Sequence, residues 1–184
     1  MFMEKSMHIL QIAILTGLLL FAAWHDSRHH RIPNALVFPG AVIGVLLNSL
    51  LPHDMGGLDI LTSLAGLGVG LIILLPLYLL RALGAGDIKL MAMIGAFAGP
   101  VSILMITVYV LLAGGVLAIG VVLVRGKLAK LMDNFRFMLL MRLAGSTSIN
   151  LPTTETIDQS AGKLPYGVAI ATGTLIYLTK THWG

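Results

Sequence analysis

From Leu90 to Val124 the chain runs 35 residues without a charged side chain. As one straight helix that stretch would measure roughly 50 Å, against a bilayer hydrocarbon core of about 30 Å. It is too long for a single crossing, too apolar for a water-exposed helix, and interrupted at Gly99-Pro100. Proline removes a backbone donor and glycine permits a turn, so the run is expected to break there. Over all 184 residues, 57% are hydrophobic and only 11% charged, where a soluble domain would be roughly a quarter charged. The fold class this implies is an all-α integral membrane protein, because backbone polar groups in lipid must be satisfied within helices.

Six apolar segments are expected as spans, over residues 7–24, 35–51, 58–80, 82–98, 102–124 and 164–178. They lie within a single polytopic domain, 1–184, with a cytoplasmic loop over 125–163. The first could be mistaken for a secretory signal, but its start is barely basic and no clean A-x-A site follows, so it reads as a retained span. The distribution of lysine and arginine orients the six. With the first loop inside, ten of the twelve basic residues fall on the cytoplasmic side, leaving only Lys5 and Lys180 outside. That bias sets a topology with both termini outside. A five-span alternative, with 90–124 unbroken, would move six of those residues across and is rejected. The net charge of +4 is explained by these flanks, so no nucleic-acid partner is expected. Within the loop, residues 125–143 place Leu128, Leu131, Met132, Phe135 and Met138 at helical spacing opposite Lys127 and Lys130. This reads as a basic amphipathic helix in the inner interface, either an anchor or a substrate contact. Residues 144–162 read as a flexible connection.

Two carboxylates stand out. Asp26 closes the first apolar stretch and Asp87 opens the fourth, and the topology brings both to the cytoplasmic face. Acidic groups at membrane depth are paired, wet or functional. Two aspartates close together cannot both ionise cheaply, so one can take a proton from water while the other, protonated, polarises a carbonyl. Structural alternatives exist for each: Asp26 as a helix-end residue paired with Arg28 or Arg31, Asp87 as a helix N-cap. Gly84 and Gly86 bracket the approach to Asp87, and glycine there would let a substrate strand lie beside the carboxylate. Lys89 and Arg31 either hold aspartates or substrate carbonyls, or anchor helix ends to anionic lipid. Pro39 and Pro76 are expected to kink their helices. Gly40/Gly44, Gly66/Gly70 and Gly95/Gly99 are G-x-x-x-G pairs, whose close-approach faces serve packing within the chain or a homodimer seam. His25 and His29 share a helical face beside Asp26, but no second cluster on that side completes a metal site, and no metal or organic cofactor is expected. With no cysteine, thiolate chemistry is excluded. Asp54 and Asp59 fall in the outer loop as a solvated turn and a helix cap.

The segment Asp26-Ser27-Arg28-His29-His30-Arg31-Ile32-Pro33-Asn34 resembles the first signature of the type IV prepilin peptidases. Gly84-Ala85-Gly86-Asp87-Ile88-Lys89-Leu90 resembles the second, and Lys163-Leu164-Pro165-Tyr166-Gly167-Val168-Ala169-Ile170 the Pro-Tyr-Gly segment that opens the family's last helix. The matches fall in family order, and the short chain looks most like the compact branch serving Flp/Tad-type pili. The resemblance implies an aspartic endopeptidase of the bacterial inner membrane, cutting prepilin leaders at its cytoplasmic face, with Asp26 and Asp87 catalytic. It implies site-shaping roles for Pro165, Tyr166 and Gly167, and cleavage after a leader glycine with the substrate's apolar helix held in the bilayer. Presenilin-type proteases share the G-x-G-D pattern, but their first aspartate lies mid-span. Longer family members carry a cysteine-paired N-terminal domain and N-methylate the new terminus; this chain lacks the cysteines, and peptidase activity alone is expected. Two other readings use the same residues: a carrier with the aspartates as a proton relay, and a pilus-assembly scaffold with them as caps.

Overall fold

A computed structural model describes residues 2–50, 57–124 and 165–183. The expected amphipathic helix over 125–143, the connection after it, and Asp54 lie outside the described residues. Among the described residues all regular structure is helical: α1 Phe2–His29, α2 Asn34–Leu50, α3 Ile60–Ile73, α4 Leu75–Leu79, α5 Ala85–Val124 and α6 Tyr166–Trp183. The chain divides into two units, Met1–Gly114 with Pro165–Gly184, and Gly115–Leu164. Of the second, the described part is the helical segment 115–124. Everything below concerns the first.

Three stretches are long and apolar enough to cross a membrane, Ile9–His29, Ile60–Leu79 and Ala85–Val121, and Asn34–Leu50 is a shorter apolar helix. The last of the three, at 37 residues, is not one straight rod. Gly99 has φ 79° and ψ 172°, outside helical geometry, a conformation that glycine alone adopts without strain. The break expected at Gly99-Pro100 is therefore present, and it divides α5 into arms 85–98 and 100–124. The second interruption is at Leu74, ahead of Pro76, which sits in the first turn of α4. Pro39, by contrast, lies inside α2 without ending it.

Breaking a helix inside a bundle strands carbonyls. Pro100 has no N–H to give Ala96, and the turn at Gly99 opens the ladder around Phe97. Three buried side chains from three other helices converge on the gap. Asn48 Nδ2 donates to the Ala96 carbonyl at 2.8 Å and to that of Phe97 at 3.2 Å. Ser63 Oγ also donates to the Ala96 carbonyl. Gln11 Nε2 donates to Asn48 Oδ1 at 2.8 Å, which fixes the amide's orientation. These bonds replace the ones the break removed.

The first arm of α5 is the centre of the molecule: every residue from Leu90 to Phe97 is buried. An all-round apolar helix needs neighbours on all sides, and glycines let them come close. A Cβ on Gly66 would fall on the Gly95 carbonyl oxygen, and one on Gly95 on that of Gly66. Gly70 meets the Met91 carbonyl in the same way, while Gly40 and Gly44 of α2 seat Met93 and Phe97. The G-x-x-x-G faces are thus used within the chain. Outward faces carry bare apolar side chains such as Leu61 (80% exposed), Val101 (72%) and Leu79 (71%), a surface suited to lipid rather than water.

Contacts fix the direction of each segment. Gln11, Asn48 and Ser63 lie at the corner end, as do Leu58 and Thr62 beside Gly99. Asn34 lies at the other end, where its side chain meets Lys89. The returning arm starts at the corner, packs Val110 against Gly173, and brings Gly114 against Tyr166 at the start of α6. Six helical segments therefore alternate in direction, counting α3 with α4 as one and α5 as two. Replacing Asn48 by leucine should cost about 1–3 kcal/mol for each carbonyl left without a donor, read as lower thermal stability in detergent. Ser63→Ala should cost less, because Asn48 still serves Ala96. Gly95→Val should be worse than either, since its neighbour is backbone and cannot swing aside. Wild-type stability in Asn48→Leu would contradict this account of the corner.

Candidate active site

Along α1 the buried positions are Gln11, Leu15, Leu19, Ala22 and Asp26, spaced 3 or 4 apart as one helical face. Asp26 is the last member of that stripe, so its carboxylate points into the bundle rather than out with the headgroups. The helix ends three residues later, at His29. His30 takes φ 49° and its N–H bonds the Asp26 carbonyl at 2.8 Å, a left-handed C-cap formed without glycine. The side chain is 5% exposed, and its Oδ2 accepts the N–H of Gly167 at 2.8 Å. Gly167 lies in the first turn of α6, where N–H groups have no partners inside the helix and favour an anion.

Asp87 occupies the first turn of α5 and is 8% exposed. Its Oδ2 accepts from the Gly84 N–H at 2.9 Å, while its own N–H bonds the Gly84 carbonyl at 3.1 Å. The carboxylate thus reaches back to the N–H of the residue before the helix, as the N3 side chain does in one half of a capping box. Asp87 is therefore not the N-cap itself but the third residue of α5, one turn inside the position expected for it, and its bond to Gly84 leaves Oδ1 for other work. Gly86 has a different reason to be glycine: its Cβ would sit 3.1 Å from that of Ile32. The loop that follows Asp26 is packed directly on the turn that precedes Asp87. Ile32 and Gly86 lock the two signature segments together.

The two carboxylates, from α1 and α5, lie within electrostatic reach of one another, and Tyr166 within reach of Asp87. A side chain on Gly114 would strike the Tyr166 hydroxyl, 2.8 Å from the Cβ position. Burying an ionised carboxylate costs several kcal/mol, and one charge-assisted hydrogen bond returns about 1.5–3 kcal/mol. With two acids buried near each other and one backbone donor apiece, structural service alone is a poor account of their presence.

The remaining expected residues divide clearly. Pro165 and Tyr166 open α6, with the Val168 N–H bonding the Pro165 carbonyl at 3.1 Å. Lys89 does not go to the aspartates. Its Nζ donates to Asn34 Oδ1 at 3.0 Å and lies 5.4 Å from the Phe38 ring centroid, pinning the start of α2 to α5. Arg31 is exposed, and its carbonyl lies 2.7 Å from His25 Nδ1. Arg28 lies over the Trp24 ring at 5.0 Å instead of pairing with Asp26. His25 and His29 stack on each other at 4.3 Å, with His29 Nδ1 on the His25 carbonyl. Among the described residues no group of three or more His, Cys, Asp or Glu converges. Asp59 stands at the N-cap position of α3, at the corner end. A cavity of about 260 Å³ lined by Gln11, Leu15, Phe97, Ser102, Tyr177 and Thr181 is also at that end, 15 residues or roughly 22 Å along α1 from Asp26.

A family model described as the type IV leader peptidase family matches residues 13–119, more than half the chain. The chain belongs to the type IV leader peptidase family. Family membership and the apolar helices make it a membrane protein of a peptidase family, and the matched stretch contains both Asp26 and Asp87. The Pro-Tyr-Gly turn of α6 lies beyond it. Comparison with curated proteins and with solved structures gave no match. For this peptidase-family chain, sequence reasoning passed over Ile32 and Gly114. Ile32 stands inside the first signature and is its one buried apolar residue. Gly114 carries no local signal, because its need arises from Tyr166 on another helix.

The Lys89–Asn34 pin is testable by itself. Lys89→Met and Asn34→Ala should each lower stability slightly, and together no more than the larger single loss. Full additivity in that thermal double-mutant cycle would mean the pair does not interact.

Proposed function

We propose that this chain is an aspartic endopeptidase that removes the leader peptides of Flp-type prepilins at the cytoplasmic face of the bacterial inner membrane. What supports the reading is that Asp26 and Asp87 lie at the same end of the bundle, each buried and each held by one glycine N–H, with Ile32 packed on Gly86 between their segments. Six spans fit the alternation of direction described above. With the basic residues on the cytoplasmic side, the aspartate end faces inward and both termini face outward in this reading.

In this mechanism one aspartate is ionised and takes a proton from a water molecule. The other is protonated and donates to the scissile carbonyl oxygen. The water oxygen attacks the carbonyl carbon, the tetrahedral intermediate collapses, and a proton passes to the departing amine. The pair titrates as a unit with one proton between them. The substrate's apolar helix lies in the lipid beside the bundle, which delivers its leader junction to this depth. Gly84, Pro165, Tyr166 and Gly167 shape the walls around the junction, and Gly86 supports them by admitting Ile32. Lys89 acts at a distance by fixing α2, and Arg31 contacts the lipid or the leader from the exposed edge. The reaction needs no cofactor, and methyl transfer is not part of the activity. A proton-relay carrier fits less well, because carriers set their sites near the midplane between repeats, whereas both acids lie at helix ends.

Co-expression with a cognate prepilin, followed by leader removal on gels, tests the proposal. Asp26→Asn and Asp87→Asn should each slow processing by at least about 100-fold, the lower bound for losing an acid or base. Asp54→Asn should process normally. Persistent cleavage in either site variant would refute the catalytic assignment; transport without cleavage would favour the carrier.

A further inference from the structure

We propose that Gly167 is a positioning residue for Asp26, so that the first turn of α6, outside the family-matched stretch 13–119, forms a third wall of the site. The inference rests on the reading of Asp26 as one of the reacting pair. Two features of one residue carry it. Its N–H holds Asp26 Oδ2 at 2.8 Å, which leaves Oδ1 as the oxygen open to water or substrate. Its missing side chain supplies the room in which that carboxylate sits. A Cβ at 167 would lie 2.8 Å from Oδ2, 3.0 Å from the Asp26 Cβ and 3.1 Å from its Cγ. All three nearest atoms belong to Asp26.

Backbone geometry does not demand glycine here, since Gly167 is helical and alanine would favour the helix more. The space demands it. Asp26 cannot retreat, because it is the end of the buried stripe of α1 and its own carbonyl is tied into the C-cap. Relief must therefore come from turning or moving the carboxylate. Gly84 offers the contrast. It also donates to an aspartate, yet a Cβ there would stand 3.4 Å from Asp87 Oδ2, an ordinary contact. Two glycines hold the two acids, and only one of them is also a space-maker. Displacing a reacting group by about 1 Å can cost roughly 100-fold in rate while leaving binding untouched.

The test is steady-state cleavage of a prepilin by the full-length protein in liposomes. Gly167→Ala should lower kcat about 100-fold with KM little changed, and Gly84→Ala should lose much less. Gly17→Ala, with nothing within 4 Å of its Cβ position, should match the wild type. Wild-type kcat in Gly167→Ala, or equal losses at 167 and 84, would overturn the proposal. If Asp26→Asn cleaves normally, the function proposed above fails instead, and the two failures are distinguishable. Should Gly167→Ala not fold, Asp26→Ala removes two of the three crowded atoms, and Asp26→Ala/Gly167→Ala should regain a cooperative melt. No recovery would also overturn it.

Discussion

A carbonyl stripped of its helical donor inside an apolar bundle is costly to leave unpaired, and a polar side chain from elsewhere can replace the lost bond. Ala96 and Phe97 present that need at the Gly99-Pro100 corner, and Gln11, Asn48 and Ser63 meet it from α1, α2 and α3. The corner can exist only with those helices in place. It also folds α5 back, turning one over-long apolar run into a central arm and a returning arm. Once the arms are antiparallel, the start of the first (Asp87) and residue Gly114 of the second lie at the same end. The start of α6 joins them there through Tyr166.

The site uses that end economically. Both acids face helix N-termini, Asp26 that of α6 and Asp87 that of α5, where unsatisfied N–H groups are already present. Each carboxylate takes one of them and keeps its second oxygen. Glycines do three separate jobs at this end of the bundle: Gly84 holds the Asp87 carboxylate, Gly86 admits Ile32, and Gly167 makes room for Asp26. The loop after α1 and the turn before α5 are consequently packed on one another. Movement of either acid is coupled to the backbone that carries the other.

Much of this was legible from residue order because the signals are local. Proline and glycine announce the corner, a charge inside an apolar run announces each aspartate, and glycine spacing announces close helix packing. What was hidden depends on partners far away in the chain. Lys89 reads equally as a catalytic helper or an anchor until Asn34, 55 residues earlier, is found beneath its ammonium group. Asn48 and Ser63 are visible as polar residues in greasy helices, but not that they answer one proline. Gly86 reads as an opening for substrate, yet its side is filled by Ile32. The third apolar segment is interrupted at Leu74, two residues before Pro76, where the sequence suggests a kink in one helix.

The absence of cysteine makes the convergence of the two acids directly measurable. Asp26→Cys and Asp87→Cys, introduced together, would be the only thiols in the protein. A short bifunctional thiol reagent applied in native membranes should join them rapidly, and much faster than it joins Asp26→Cys to Asp54→Cys. Failure to link positions 26 and 87, with both thiols shown to be reactive singly, would contradict the account at its centre.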